Sequence, residues 1–196
     1  VEHRLERQSL EGLRVAVQGV GHVGIHLCQL LHQQGAILAV SDVNPEAVAE
    51  AAARFGARAV RPEDIYAEDV DVFAPCALGA VLNDESLAQL RAPLVVGAAN
   101  NQLARPQHGD ERARRGVLYA PDYVVNAGGI INVAAEIAGD YDPDAVLART
   151  ERIGERLRKI LREAHSKGEA PFRVADAMVL EKLEAARVAR RQADLP

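Results

Sequence analysis

The sequence predicts an α/β fold: a doubly wound, mostly parallel sheet of about six strands with carboxy-terminal helices. Three observations carry the prediction. Short β-branched runs alternate with stretches of helical periodicity, a glycine-rich turn joins the first run to the first helix, and strand signals vanish from Asp142-Pro143 onward.

Arg14 to Gly19 (RVAVQG) reads as the first strand, and Val23, Leu27, Leu30 and Leu31 then repeat at helical spacing up to Gly35. Ala36 to Asp42 (AILAVSD) is a second strand, after which Asn44-Pro45 supplies a helix cap with proline at the first helical position. That helix should bury Val48, Ala51, Ala52 and Phe55 and stop at Gly56, with a short strand at Ala57 to Val60. Further strands are expected at Val70 to Cys76, Leu94 to Asn100 and Val117 to Ala120, separated by helix-compatible segments at Asp84 to Leu90 and Pro106 to Arg115. Beyond them, Val146, Thr150, Ile153, Leu157, Ile160, Leu161 and Ala164 form one apolar face of a helix ending at Lys167-Gly168. A last helix is expected from about Asp176 to Arg191. The whole, residues 1–196, reads as one domain: a lead-in over about 1–13, a sheet core over 14–141 and terminal helices over 142–196.

The composition narrows the partners. With 196 residues, 48% of them hydrophobic, the chain can fill one core. A net charge of -5, with Arg interleaved among Glu and Asp, gives no basic field for nucleic acid. No stretch approaches the roughly 20 apolar residues of a membrane span, and Val1-Glu2-His3-Arg4 does not look like a signal peptide, so a cytoplasmic protein is expected. Cys28 and Cys76 are isolated, which argues for reduced thiols. His22 and His26 have the spacing of a metal pair without an evident third ligand, and no metal site is expected. The Arg/Glu-rich run from Arg149 to Glu163 reads as a solvated helix face with i, i+4 pairs.

Gly19-Val20-Gly21-His22-Val23-Gly24 is a GxGxxG between a predicted strand and a predicted helix. The first glycine makes the tight turn, the second admits a pyrophosphate against backbone, and the third lets helix pack on strand. The helix then offers free N–H groups and its positive dipole end to the phosphates. Asp42, 18 residues beyond Gly24 at the end of the second strand, can reach the adenosine ribose hydroxyls. It would repel a 2'-phosphate, and neither Val43 nor Asn44 supplies a cation, so NAD is favoured over NADP. This is the pattern of a dinucleotide-binding Rossmann domain. Small or amide residues end the later strands, at Pro75-Cys76-Ala77-Leu78-Gly79, Gly97-Ala98-Ala99-Asn100-Asn101 and Asn126-Ala127-Gly128-Gly129. Each suits either a nicotinamide riboside or ordinary turn chemistry.

Several blocks taken together go further. Ser9-Leu10-Glu11-Gly12, Val15-Ala16-Val17-Gln18-Gly19, PCALGAVLND at 75–84, AANNQL at 98–103 and APDYVVNAGGIINVA at 120–134 resemble the cofactor domain of the glutamate/leucine/phenylalanine/valine dehydrogenase family, its leucine-specific members most of all. The resemblance implies pyrophosphate contacts at Gly19, Gly21, His22, Val23 and Gly24, and adenosine contacts at Asp42 and Val43. It implies nicotinamide contacts at Ala77, Ala98 and Asn100, with Cys76 a further cofactor-binding residue. Asn126 is then shared between cofactor and substrate carboxylate, and Ile130 and Val133 line the side-chain pocket. Two departures stand out: His22 where many members carry Asn, and Ala135 where Asp is common.

The family also implies NAD-dependent oxidative deamination of branched-chain L-amino acids, leucine foremost, to 2-oxo acids, in a complete enzyme that is a homo-oligomer. The glycine-rich lysine motif and catalytic aspartate of such enzymes belong to an amino-terminal substrate domain. The lysines here are Lys159, Lys167 and Lys182, all in the terminal helices, and no catalytic residue is expected in this chain. It should bind NAD without turning over. A non-enzymatic NAD/NADH-sensing module is the competing expectation, since regulatory domains use the same loop and acid.

Overall fold

A computed structural model describes residues 1–139 and 141–193; the predicted domain also takes in Asp140 and residues 194–196, which lie outside the described residues. The strands are β1 (Arg14–Gln18), β2 (Ile37–Ser41), β3 (Arg58–Ala59), β4 (Val72–Pro75), β5 (Leu94–Val95) and β6 (Leu118–Tyr119). They form one sheet in the order β3-β2-β1-β4-β5-β6, every neighbouring pair parallel. This is the doubly wound order, with its switch point between β1 and β4.

The helices are α1 (Glu2–Leu5), α2 (His22–Gln33), α3 (Pro45–Phe55), α4 (Asp84–Gln89), α5 (Pro106–Arg114), α6 (Asp122–Val125), α7 (Gly128–Ala138), α8 (Pro143–Lys167) and α9 (Pro171–Ala193), with a 3-10 turn at Ile65–Ala67. Caps follow the sequence signals. Asn44 accepts from Glu46 N ahead of Pro45, Asp142 accepts from Asp144 N ahead of Pro143, and Gly56 and Gly168 end their helices in the left-handed region.

Alternation of side chains across β1 divides the core. Val15 and Val17 face α2 and α3, packing with Cys28, Ala51 and Phe55. Ala16 faces the other side, with Phe73, Val95, Ile65, Leu82 and Phe172. Both faces of the central strands are therefore buried, as unbroken apolar runs require. A third cluster joins Val124 of α6 to Ile160 and Ala164 of α8 and Val174 of α9, so the terminal helices pack on the site-bearing edge of the domain.

Three expectations need correction. β5 stops at Val95 rather than running to Asn100. Pro75 offers no N–H on that edge, and a Cβ on Gly97 would stand 2.3 Å from Pro75 O, so the ladder ends and the chain leaves as a loop. The last helix begins at Pro171, not Asp176, because Phe172, Val174 and Ala175 are its anchoring apolar face. The run from Arg149 to Glu163 is tied less by i, i+4 pairs than by Arg158, whose Nε donates to Glu2 of α1 at 3.1 Å. The lead-in contains α1, held from another side by Arg4, which donates to Gly116 O at 2.8 Å.

Candidate functional site

The glycine loop follows β1 directly. Gly19 has φ +92°, and a Cβ there would stand 2.7 Å from the backbone nitrogen of Ala77; at Gly24 it would stand 1.9 Å from the carbonyl oxygen of Gly19. Both positions therefore admit only glycine. Gly21 is different: nothing lies within 4 Å of where its Cβ would be. It is also the N-cap of α2 and makes no side-chain cap bond, so the helix start faces open space. A phosphate fits that cradle.

Asp42 closes the loop from the neighbouring strand. Its Oδ2 accepts from Val20 N at 2.8 Å and its Oδ1 from Asn44 N at 2.9 Å, while Gly19 N donates to Ser41 O at 2.7 Å. Each carboxylate oxygen keeps a lone pair for a hydroxyl. Val43 beside it is almost wholly exposed.

The loops after β4 and β5 lie across the switch point. Cys76 N donates to Gln18 O, continuing the β1–β4 ladder, and Ala77 abuts Gly19. The two loops are bound to each other by Ala80 N to Asn101 O at 2.7 Å and Leu82 N to Gln102 O at 2.9 Å. Ala80 and Asn101 both take positive φ, of 58° and 51°. Such backbone persists only where its surroundings over-determine it. Burial raises the Cys76 thiol above its ordinary range, against a hydrogen bond from the Ala98 backbone, and burial pushes Cys28 to about 12. Neither thiol is a nucleophile at neutral pH.

Asn126 Nδ2 donates to Asn100 Oδ1 at 2.6 Å, which joins the predicted nicotinamide loop to the predicted substrate residue. Asn126 caps α6 rather than opening α7. On α7, Ile130 is 67% exposed, Val133 44% and Ile137 82%, a bare apolar row beyond the glycine pair. His22 and Val23 open α2 directly after the Gly21 N-cap. His22 O meets His26 Nδ1 at 2.7 Å, and Val23 lines an apolar groove of 640 Å³ that runs past Leu27, Leu30, Ala74 and Val96. That groove is lined almost wholly by apolar side chains and reaches Gly97 and Ala98 of the loop after β5. Lys167 pairs with Glu163 at 2.7 Å, a hydrogen bond and charge that raise its pKa, the reverse of an activated lysine.

Gln102 and Asp122 are buried polar residues inside the AANNQL and APDYVVNAGGIINVA blocks, with no sequence signal of their own to mark them as site residues.

The profile of the Glutamate/Leucine/Phenylalanine/Valine dehydrogenase family matches residues 1–51 and 44–190. The chain belongs to that family. A family member named leucine dehydrogenase, from Bacillus subtilis, is 47% identical over 184 residues, covering 94% of this chain and 50% of the relative. The crystal structure of L-tryptophan dehydrogenase from Nostoc punctiforme matches with a TM-score of 0.90 at 40% identity, over 95% of this chain and 55% of that one. The hetero-hexameric glutamate dehydrogenase of Thermus thermophilus, in a Leu bound form, matches with a TM-score of 0.74 at 27% identity, over 93% and 48%. This member of the dehydrogenase family thus spans about half the length of the relatives it matches. Among the described residues no helix is long and apolar enough to cross a membrane.

Proposed function

We propose that this chain is the NAD-binding half of an amino-acid dehydrogenase acting on aliphatic L-amino acids, leucine foremost. The observation that carries the reading is the convergence, on the carboxyl edge of one sheet, of the open Gly21 cradle, the Asp42 carboxylate and the Asn100–Asn126 pair. Open α/β sheets bind dinucleotides at that edge.

The residues divide the work. Backbone N–H groups at the start of α2 take the pyrophosphate, and Asp42 accepts from two ribose hydroxyls on the β2 side. The far riboside lies over the loops after β4 and β5, where small residues admit a flat ring and the asparagines supply amide donors and acceptors. Bound NAD supplies a two-electron acceptor for the hydride leaving the substrate Cα. Asn126 orients the substrate carboxylate, Ile130 and Val133 meet its side chain, and the proton-transfer groups come from the half that the relatives have in addition.

Calorimetric titration with NAD and NADP tests the cofactor assignment. NAD should bind more than about tenfold tighter, a gap of about 1.4 kcal/mol, because a 2'-phosphate would meet Asp42 with no neighbouring cation. Equal affinities would remove Asp42 from the site.

A further inference from the structure

Gln102 is 0% exposed, and its hydrogen bonds reach three parts of the site. Its Nε2 donates to Gly97 O at 2.8 Å and Ala99 O at 2.9 Å, tying back the loop after β5. Its carbonyl accepts from Leu82 N at 2.9 Å, tying in the loop after β4. Its backbone N–H donates to Asp122 Oδ2 at 2.8 Å. Asp122, 6% exposed, accepts through Oδ1 from Tyr123 N at 2.8 Å and so fixes the first turn of α6. That helix delivers Asn126, whose bond to Asn100 closes the circuit. Two carbonyl acceptors settle which end of the Gln102 amide faces the loop. Its Oε1 is buried without a protein partner, so the donor end is retained against a cost.

We propose that Gln102 is a positioning residue for the nicotinamide end of the cofactor. The inference rests on the NAD reading above. The glycine loop and Asp42 hold the adenosine and pyrophosphate on the β1–β2 side, so a dinucleotide crossing the switch point sets its second riboside on the loop that Gln102 braces. The backbone N–H at this position holds Asp122, and with it Asn126, independently of the side chain, so the side chain's own share is the hold on the loop after β5. Its loss is felt by the far half of the ligand and not by the near half.

The test compares NAD with ADP, which reaches only the near half, by calorimetry on wild type and Gln102→Met, a variant of similar volume without the donor. NAD affinity should fall about tenfold while ADP affinity holds within about twofold. A purely structural role would lower both together, and that result, or an unchanged NAD affinity, overturns the proposal. The wild type gives a second readout that needs no variant to fold: in NMR titrations NAD, and not ADP, should shift the Gln102 side-chain amide signals. Equal shifts, or none with NAD bound, overturn it as well. Wild type that binds neither ligand would instead bring down the cofactor reading itself, and the inference with it.

Discussion

The three glycines of the loop are chemically identical and physically unlike. At Gly24 an added methyl collides with the Gly19 carbonyl 1.9 Å away, so Gly24→Ala must prise α2 from β1. At Gly21 a methyl meets no protein atom, and the backbone, at φ -67°, tolerates it. Gly24→Ala should therefore cost about 1–3 kcal/mol or more of stability, whereas Gly21→Ala should cost no more than about 1 kcal/mol, the difference between glycine and alanine as an N-cap. The order reverses for cofactor. Gly21→Ala fills the space a pyrophosphate needs and should weaken NAD at least about tenfold. Thermal melts and NAD titrations of the two variants check this; a Gly21→Ala protein with wild-type affinity would show that the phosphates lie elsewhere. The turn made by GxGxxG and the place of Asp42 just after β2 were legible because each stands in a strand–turn–helix context that the sequence pattern marks. Gln102 and Asp122 were not, because what matters about them is burial between loops, and loops carry no periodicity.

Elements were legible where apolar period and caps agreed, as at α3 and α8, whose first and last residues follow Asn44-Pro45, Gly56, Asp142-Pro143 and Gly168. They were not legible where tertiary contact decides the end. An apolar run such as LVVGAAN reads as strand, yet Pro75 on the neighbouring strand ends the ladder at Val95. The opposite edge of the sheet shows what holds a strand start. Asp71, just before β4, accepts from Arg14 N at 2.9 Å and from the Arg14 guanidinium at 3.1 Å, pinning the start of β1 to the chain entering β4. Burial alone would raise the Asp71 pKa, but the Arg14 side chain and backbone bonds outweigh it and hold the carboxyl below its usual range. The pair's contribution is therefore complete above the unfolded carboxylate value of about 3.9, and is lost as pH falls through the lower folded value. Asp71→Asn should destabilise by no more than about 1 kcal/mol near neutral pH, since the Arg14 partner is exposed and solvent screens the pair. Urea denaturation of both proteins should show that gap closing as pH drops from about 4 towards about 2; a gap independent of pH would deny the carboxylate its charge-dependent role.

At the scale of the molecule, the carboxyl edge of the sheet carries the glycine loop and Asp42 on one side and a bare apolar helix face on the other. Ile130, Val133 and Ile137 stand exposed on α7, and the three lysines sit on α8 and α9. The chain by itself should therefore bind NAD and deaminate no amino acid, since hydride transfer without a positioned base and carboxylate clamp forgoes both proximity and proton transfer. Joined to the remaining half of the Bacillus subtilis leucine dehydrogenase, its 47% identical relative, it should turn over. The preference of that chimera follows from α7. Ile130 and Val133 are three apart on one helical face, both branched and apolar. A glutamate carboxylate set against them would lose its hydration without gaining a partner, at several kcal/mol, whereas leucine or valine buries methyl groups worth roughly 0.8 kcal/mol each. The chimera should prefer leucine to glutamate by orders of magnitude in kcat/KM. Among leucine, valine and isoleucine the spread should be narrow, since a methylene is worth only about 1–3 kcal/mol. Val133→Ser places a hydroxyl on the wall and should lower kcat/KM for leucine by several-fold to about 100-fold, leaving NAD affinity unchanged. Glutamate as the best substrate, or a Val133→Ser enzyme indifferent to leucine, would show that α7 does not face the substrate side chain.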